Sequence, residues 1–117
     1  MKEPLIVIAG ATGVGKTALS VELAKRINGQ IISADSMQVY KGLDIGTAKI
    51  RPEEMQGIKH YLINELEPSE DFNIYEFQTR AAEYIKKIRS EGAIPMLAGG
   101  TGFYIQSVVY NVRFEEE

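Results

Sequence analysis

Residues 10–17, Gly10-Ala11-Thr12-Gly13-Val14-Gly15-Lys16-Thr17, match G-x-x-x-x-G-K-[ST] at every position. Glycines let the backbone curl until successive N–H groups face inward, and such a concavity holds phosphate oxygens. A helix that opens there adds the positive end of its dipole. Lys16 brings a mobile full charge, and the Thr17 hydroxyl suits a Mg²⁺ ion that bridges phosphate oxygens. A glycine-rich turn with a surface lysine is the plainer reading. The full motif between an apolar strand and a helix favours binding of a di- or triphosphate. It leaves open which bond breaks.

A second candidate is Asp35, the only acid that directly follows an apolar strand. An ordinary P-loop NTPase carries a further carboxylate at a strand end to hold the Mg²⁺ shell. The late apolar segment here runs instead into Ala98-Gly99-Gly100. Asp35 lies where nucleotide and small-molecule kinases tend to place substrate-binding acids; its structural alternative is a helix cap or turn aspartate. Thr101, inside Gly99-Gly100-Thr101-Gly102, is likewise a helix cap or a site residue. His60, the single histidine, is a general-base candidate or a strand-end hydrogen-bonder. Tyr40, Tyr61, Tyr75 and Tyr104 could stack on bases or pack at the edge of a core. Lys49 and Arg51 could touch RNA phosphates or stay solvated.

These residues need elements to hold them. The unbroken apolar run 5–9 predicts a buried parallel strand. Residues 16–27 predict a helix with Leu19, Leu23 and Ile27 on one face and Gly29 ending it. Residues 30–34 predict a second strand that delivers Asp35 at its carboxyl end. A short helix is expected after Pro52 and a third strand at 60–63. Asn73, with Glu76 three positions on, resembles a capping box. Ile74, Phe77, Ala81, Ile85 and Ile88 then share a helical face that Gly92 stops. Residues 94–98 predict another buried strand with Pro95 near its start, a glycine turn follows, and 103–110 begins a further helix. Alternating strands and helices imply an α/β fold of P-loop NTPase-like type, a parallel sheet flanked by helices in three layers. Ligands in such sheets sit beyond the carboxyl ends of the strands, where residues 10–17, Asp35 and residues 99–102 all fall.

The 117 residues suffice for one domain, with 44% hydrophobic and 25% charged residues. Without cysteine there is no disulfide or thiolate site. The net charge of −3 argues against a broad polyanion-binding face. Even the stretch 41–60 carries four basic residues against three acids, a net of +1. No apolar run reaches the roughly 20 residues of a membrane span, and the N-terminus is too short for a signal-peptide core. A cytoplasmic protein, monomeric and without a membrane partner, is the expectation.

Gly10 to Thr17, then Asp35-Ser36-Met37-Gln38-Val39-Tyr40, Asp44-Ile45-Gly46-Thr47-Ala48-Lys49, His60-Tyr61-Leu62, Phe72-Asn73-Ile74-Tyr75-Glu76-Phe77 and Gly99-Gly100-Thr101-Gly102-Phe103-Tyr104 together resemble the tRNA dimethylallyltransferase family, in order and over nearly the whole chain. The resemblance implies transfer of the five-carbon group of dimethylallyl diphosphate to N6 of the adenosine 3′-adjacent to the anticodon of tRNA, releasing diphosphate. It implies that Gly10, Ala11, Thr12, Gly13, Val14, Gly15, Lys16 and Thr17 hold the diphosphate with Mg²⁺ on Thr17. It implies Asp35 as base, Thr101 and Lys16 as catalytic partners, and Asp35, Ser36, Met37, Gln38 and Thr101 as contacts to the tRNA anticodon stem-loop. Residues 1–117 then correspond to the N-terminal part of the P-loop catalytic core. The family's helical insertion and C-terminal part lie beyond this chain, so the 117-residue piece alone is expected to bind diphosphate weakly and transfer nothing. Three other functions fit the residues: an ATP-dependent small-molecule or nucleoside kinase, an adenylate prenyltransferase, and a non-catalytic nucleotide-binding module with a structural Asp35.

Overall fold

The computed structural model describes residues 5–9, 14–34, 39–41, 52–63, 65–67, 69 and 73–99, with backbone alone for 9, 14–17 and 52. In chain order the elements are β1 (Ile6–Ala9), α1 (Val14–Ile27), β2 (Gly29–Ser33), α2 (Pro52–Met55), β3 (His60–Tyr61), α3 (Ile74–Ser90) and β4 (Ile94–Gly99). The expected helix at 103–110 lies outside the described residues.

The four strands form one parallel sheet in the order β1-β4-β2-β3. Side chains alternate across it, as strand geometry requires. Ile31 and Met96 pack on one face with Val21 and Ala24 of α1. Ile32 and Leu97 pack on the other with Phe77, Ala81, Ile85 and Ile88 of α3. Helix, sheet and helix make the expected three layers.

α3 follows its sequence pattern closely. The Asn73 side chain accepts a hydrogen bond from Glu76 N at 2.9 Å, satisfying an N-terminal amide that the helix itself cannot. Gly92, at φ 78°, turns the chain out after Glu91. Pro95 is buried in β4, an inner strand. Ile94 N donates to Asn28 O, so by alternation the missing donor of Pro95 faces β1. There the ladder begins only at Ile6↔Met96.

Four expectations need correction. β1 ends the ladder and is not the buried strand expected: Leu5, Ile6 and Ile8 are partly buried and Val7 is 39% exposed. α1 starts at Val14, and its buried face is Ser20, Val21 and Ala24, with Leu23 and Ile27 partly buried. Leu19 is 60% exposed. Small residues let the helix lie close to the sheet, so size was a poor guide to the inward face. The helix ends at Asn28 in the left-handed region (φ 59°), and Gly29 is already strand. Its missing side chain makes room for Met96, whose sulfur would lie 2.6 Å from a Cβ there. Finally, β3 stops at Tyr61 because buried Leu62 takes φ 64°, a conformation that leaves the extended region.

The Glu65 carboxylate holds that bend. Oε2 accepts from Leu62 N at 2.6 Å and Oε1 from the Tyr84 hydroxyl of α3 at 2.7 Å. Burial and this carboxylate push the Tyr84 hydroxyl pKa up. Tyr61 stacks on Tyr84 with ring centroids 4.4 Å apart and donates to Gln30 Oε1. Beside it, His60 Nδ1 lies 2.9 Å from Ile58 O. Burial lowers the His60 pKa, partly offset by that carbonyl.

Two tests follow from this corner. Glu65→Ala leaves the Leu62 amide and Tyr84 hydroxyl without their acceptor and should cost about 1–3 kcal/mol in denaturant unfolding; an unchanged midpoint would remove the clamp. A histidine whose folded pKa lies below its unfolded value near about 6.5 favours the fold fully above that pH and progressively less below it. The Tm advantage of the wild type over His60→Gln should therefore narrow from about pH 7.5 to about pH 5.5. A widening gap would reverse the assignment.

Candidate functional site at the carboxyl edge of the sheet

The register fixes which strand ends meet. Ala9 at the end of β1 is level with Gly99 at the end of β4. Ser33 of β2 is level with Ala98, and Ala34 N extends that ladder by donating to Ala98 O at 2.9 Å. Adjacent strands are about 4.8 Å apart, so the exits of β1 and β2 lie about 10 Å apart with the exit of β4 between them. Ala9, Ala34 and Gly99, the described residues that precede 10–13, 35–38 and 100–102 in the chain, thus lie at three neighbouring points on one edge.

α1 opens at this edge. Its backbone starts at Val14, five residues after Ala9, and residues 14–17 form its first turn. That turn has no acidic residue, while Lys25 and Arg26 occupy the last. The positive pole of the helix therefore stays uncompensated at the end where an anion would sit, and the negative pole is compensated at the other.

Of the residues singled out from the sequence, Gly10, Ala11, Thr12, Gly13, Asp35, Ser36, Met37, Gln38 and Thr101 lie outside the described residues, as do Tyr104, Lys49 and Arg51. Val14, Gly15, Lys16 and Thr17 are described as backbone of α1 only. The segment that carries Asp35 to Gln38 is anchored on both sides. Ala34 is fully buried and held by Ala98. Val39 is fully buried, and its carbonyl accepts from Glu65 N at 2.7 Å and Leu66 N at 3.0 Å. Tyr40 bridges to Leu66, and Lys41 pairs with Glu67 at 3.2 Å.

Other candidates fall away from this edge. His60 sits on β3, the strand farthest from β1 in the ladder, and bonds a local carbonyl. Tyr61 and Tyr40 pack against the core, as the plainer reading held, whereas Tyr75 is 69% exposed on α3. Residues that the sequence did not mark include Glu65, whose role depends on the unforeseen bend at Leu62. Gly99 is another. It stood out only as part of a turn, but it is the last residue of β4, and a Cβ there would lie 2.6 Å from Ala34 O.

The family model described as IPP transferase matches residues 38–117. A tRNA dimethylallyltransferase from Lachnoclostridium phytofermentans is 58% identical over 114 residues, covering 97% of this chain and 36% of that protein. The crystal structure of a tRNA delta(2)-isopentenylpyrophosphate transferase from Staphylococcus epidermidis superposes with TM-score 0.87 at 60% identity, over 92% of this chain and 35% of the other. The full-length tRNA isopentenylpyrophosphate transferase from Bacillus halodurans gives TM-score 0.90 at 54% identity, over 94% of this chain and 36% of the other. The chain thus spans about a third of the length of the relatives it matches. The sheet is of the α/β, P-loop NTPase-like type seen in these neighbours. On the strength of the matched family model and of relatives aligned along nearly its whole length, the chain belongs to the IPP transferase family.

Proposed function

We propose that the protein containing this chain transfers a dimethylallyl group from dimethylallyl diphosphate to N6 of the adenosine 3′-adjacent to the anticodon in tRNA. Residues 1–117 form the N-terminal part of its P-loop catalytic core. The observation that carries the reading is the convergence of three strand exits, at Ala9, Gly99 and Ala34, on one edge of a parallel sheet. The relatives' names, tRNA dimethylallyltransferase and tRNA delta(2)-isopentenylpyrophosphate transferase, support the choice of chemistry.

In this reading the N–H groups of residues 10–17, the Lys16 ammonium and the positive end of α1 grip the diphosphate. The allylic C1–O bond breaks and its electron pair leaves with the diphosphate. The adenine N6 lone pair forms the new C1–N bond, and one N6 proton passes to the Asp35 carboxylate. Charge builds on the departing oxygen, so donors fixed in advance at that point stabilise the transition state more than the ground state. Asp35 is needed because the N6 lone pair is delocalised into the ring, and a carboxylate in hydrogen-bond reach orients the amine as well as taking its proton. Ser36, Met37 and Gln38 line the path of the base, which must leave its stack to react. Thr101 contacts the tRNA beside the reacting carbon.

Magnesium fits the donor set. A threonine hydroxyl and diphosphate oxygens are hard ligands of the kind Mg²⁺ prefers, and no cluster of three or more His, Asp or Glu that could hold a metal alone occurs among the described residues. Thr17 would hold the ion, which when bound offsets charge on the diphosphate.

Full-length protein incubated with labelled dimethylallyl diphosphate, Mg²⁺ and bulk tRNA should put label on adenosine N6 in tRNA, with free AMP unlabelled. Label on AMP alone, or ATP turnover with a phosphoryl acceptor in place of prenyl transfer, would overturn the reading. In the same protein, Asp35→Asn should lower kcat by about 10²–10⁴-fold while the donor Kd stays within about twofold. Unchanged kcat would make Asp35 structural.

A further inference from the structure

β4 is an inner strand, with β1 on one side and β2 on the other. Its last residue, Gly99, is buried. A Cβ built on it would lie 2.6 Å from Ala34 O, 2.9 Å from Ala34 C and 2.9 Å from Ala34 Cβ. Two of these three atoms are backbone, so no side-chain rotation relieves the clash. The alternation of the sheet puts Gly99 and Ala34 on the face of Leu97 and Ile32, the side covered by α3. The carbonyl end of Ala34 therefore occupies the place that a Gly99 side chain would fill. The next atom after the Ala34 carbonyl carbon is the amide nitrogen of Asp35.

We infer that Gly99 is a positioning residue: by lacking a side chain it lets the exit of β2 at Ala34 close over β4, and so sets where the Asp35 segment starts relative to the phosphate cradle. This rests on the proposed function, in which Asp35 and the cradle act on one donor–acceptor pair. The same ladder contains an internal contrast. Gly29, at the amino end of β2, is also crowded, but its nearest neighbour is the flexible end of Met96, whose sulfur lies 2.6 Å from a Cβ placed there. A methyl at Gly29 strains packing far from the carboxyl edge, whereas one at Gly99 displaces the backbone that leads into Asp35.

The test uses the full-length protein and begins by measuring prenyl transfer by the wild type, so absence of that activity counts against the proposed function alone. Gly99→Ala should lower kcat by about 100-fold, the scale of a displacement of about 1 Å at a reacting group. KM for dimethylallyl diphosphate should stay within about twofold. Gly29→Ala should lower Tm and leave kcat within about twofold of the wild type. Wild-type kcat in folded Gly99→Ala would overturn the inference. A loss expressed as raised donor KM would also overturn it, because Gly99 would then serve the cradle through its neighbour Ala9. Should Gly99→Ala not fold, Ala34→Gly decides. It frees the other partner of the contact without adding atoms, and it should lower kcat by about fivefold at unchanged donor KM; an unaltered kcat there equally overturns the inference.

Discussion

The pairing of β4 on both its edges is the constraint on which the rest of the described structure depends. β1 and β2 do not touch one another through the ladder; each is hydrogen-bonded to β4. β4 also supplies both cores, with fully buried Met96 on the α1 side and fully buried Leu97 on the α3 side. Its pairing brings Ile6 beside Met96, contacts between segments far apart in the chain. Such non-local closure costs loop entropy before the buried apolar surface returns it. The carboxyl edge therefore exists only once a late strand has inserted between two early ones.

The consequence for chemistry is geometric. Under the proposed function, the groups that grip the leaving diphosphate and the proton acceptor belong to segments that follow β1 and β2, which are not neighbours. β4 is the spacer between them, and at its end it has no side chain to hold them further apart. The α1 dipole, unopposed at its start and matched by Lys25 and Arg26 at its end, points the same way. The clamp of Glu65 on Leu62 and Tyr84, and the double acceptance by Val39 O, tie down the far end of the segment that carries Asp35.

Much of this was legible from the sequence where the signal is local. The α3 face and its Asn73 cap could be read directly, because a 3.6-residue period and a cap at the right offset are properties of a single segment. The strand and helix that flank residues 10–13 were legible for the same reason, as β1 and α1. What could not be read was non-local. Periodicity marks residues 5–9 and 94–98 alike as buried strands, yet Val7 in β1 is 39% exposed, and nothing in the period says that β4 lies between β1 and β2. The inward face of α1 was misjudged because Leu19 is larger than Ser20 and Ala24, although the smaller residues pack closer. The end of β3 at Tyr61 depends on a positive φ at Leu62, which no apolar run foretells. Gly99 belonged to a visible glycine cluster, yet its reason, the carbonyl of Ala34, comes from a different strand.

The most direct measurement is a structure of the full-length protein with an unreactive dimethylallyl diphosphate analogue and an anticodon stem-loop. The diphosphate should lie on the N–H groups of residues 10–17, with the Asp35 carboxylate about 2.6–3.2 Å from adenine N6. A diphosphate bound elsewhere, or an Asp35 carboxylate turned away from the adenine, would contradict that placement.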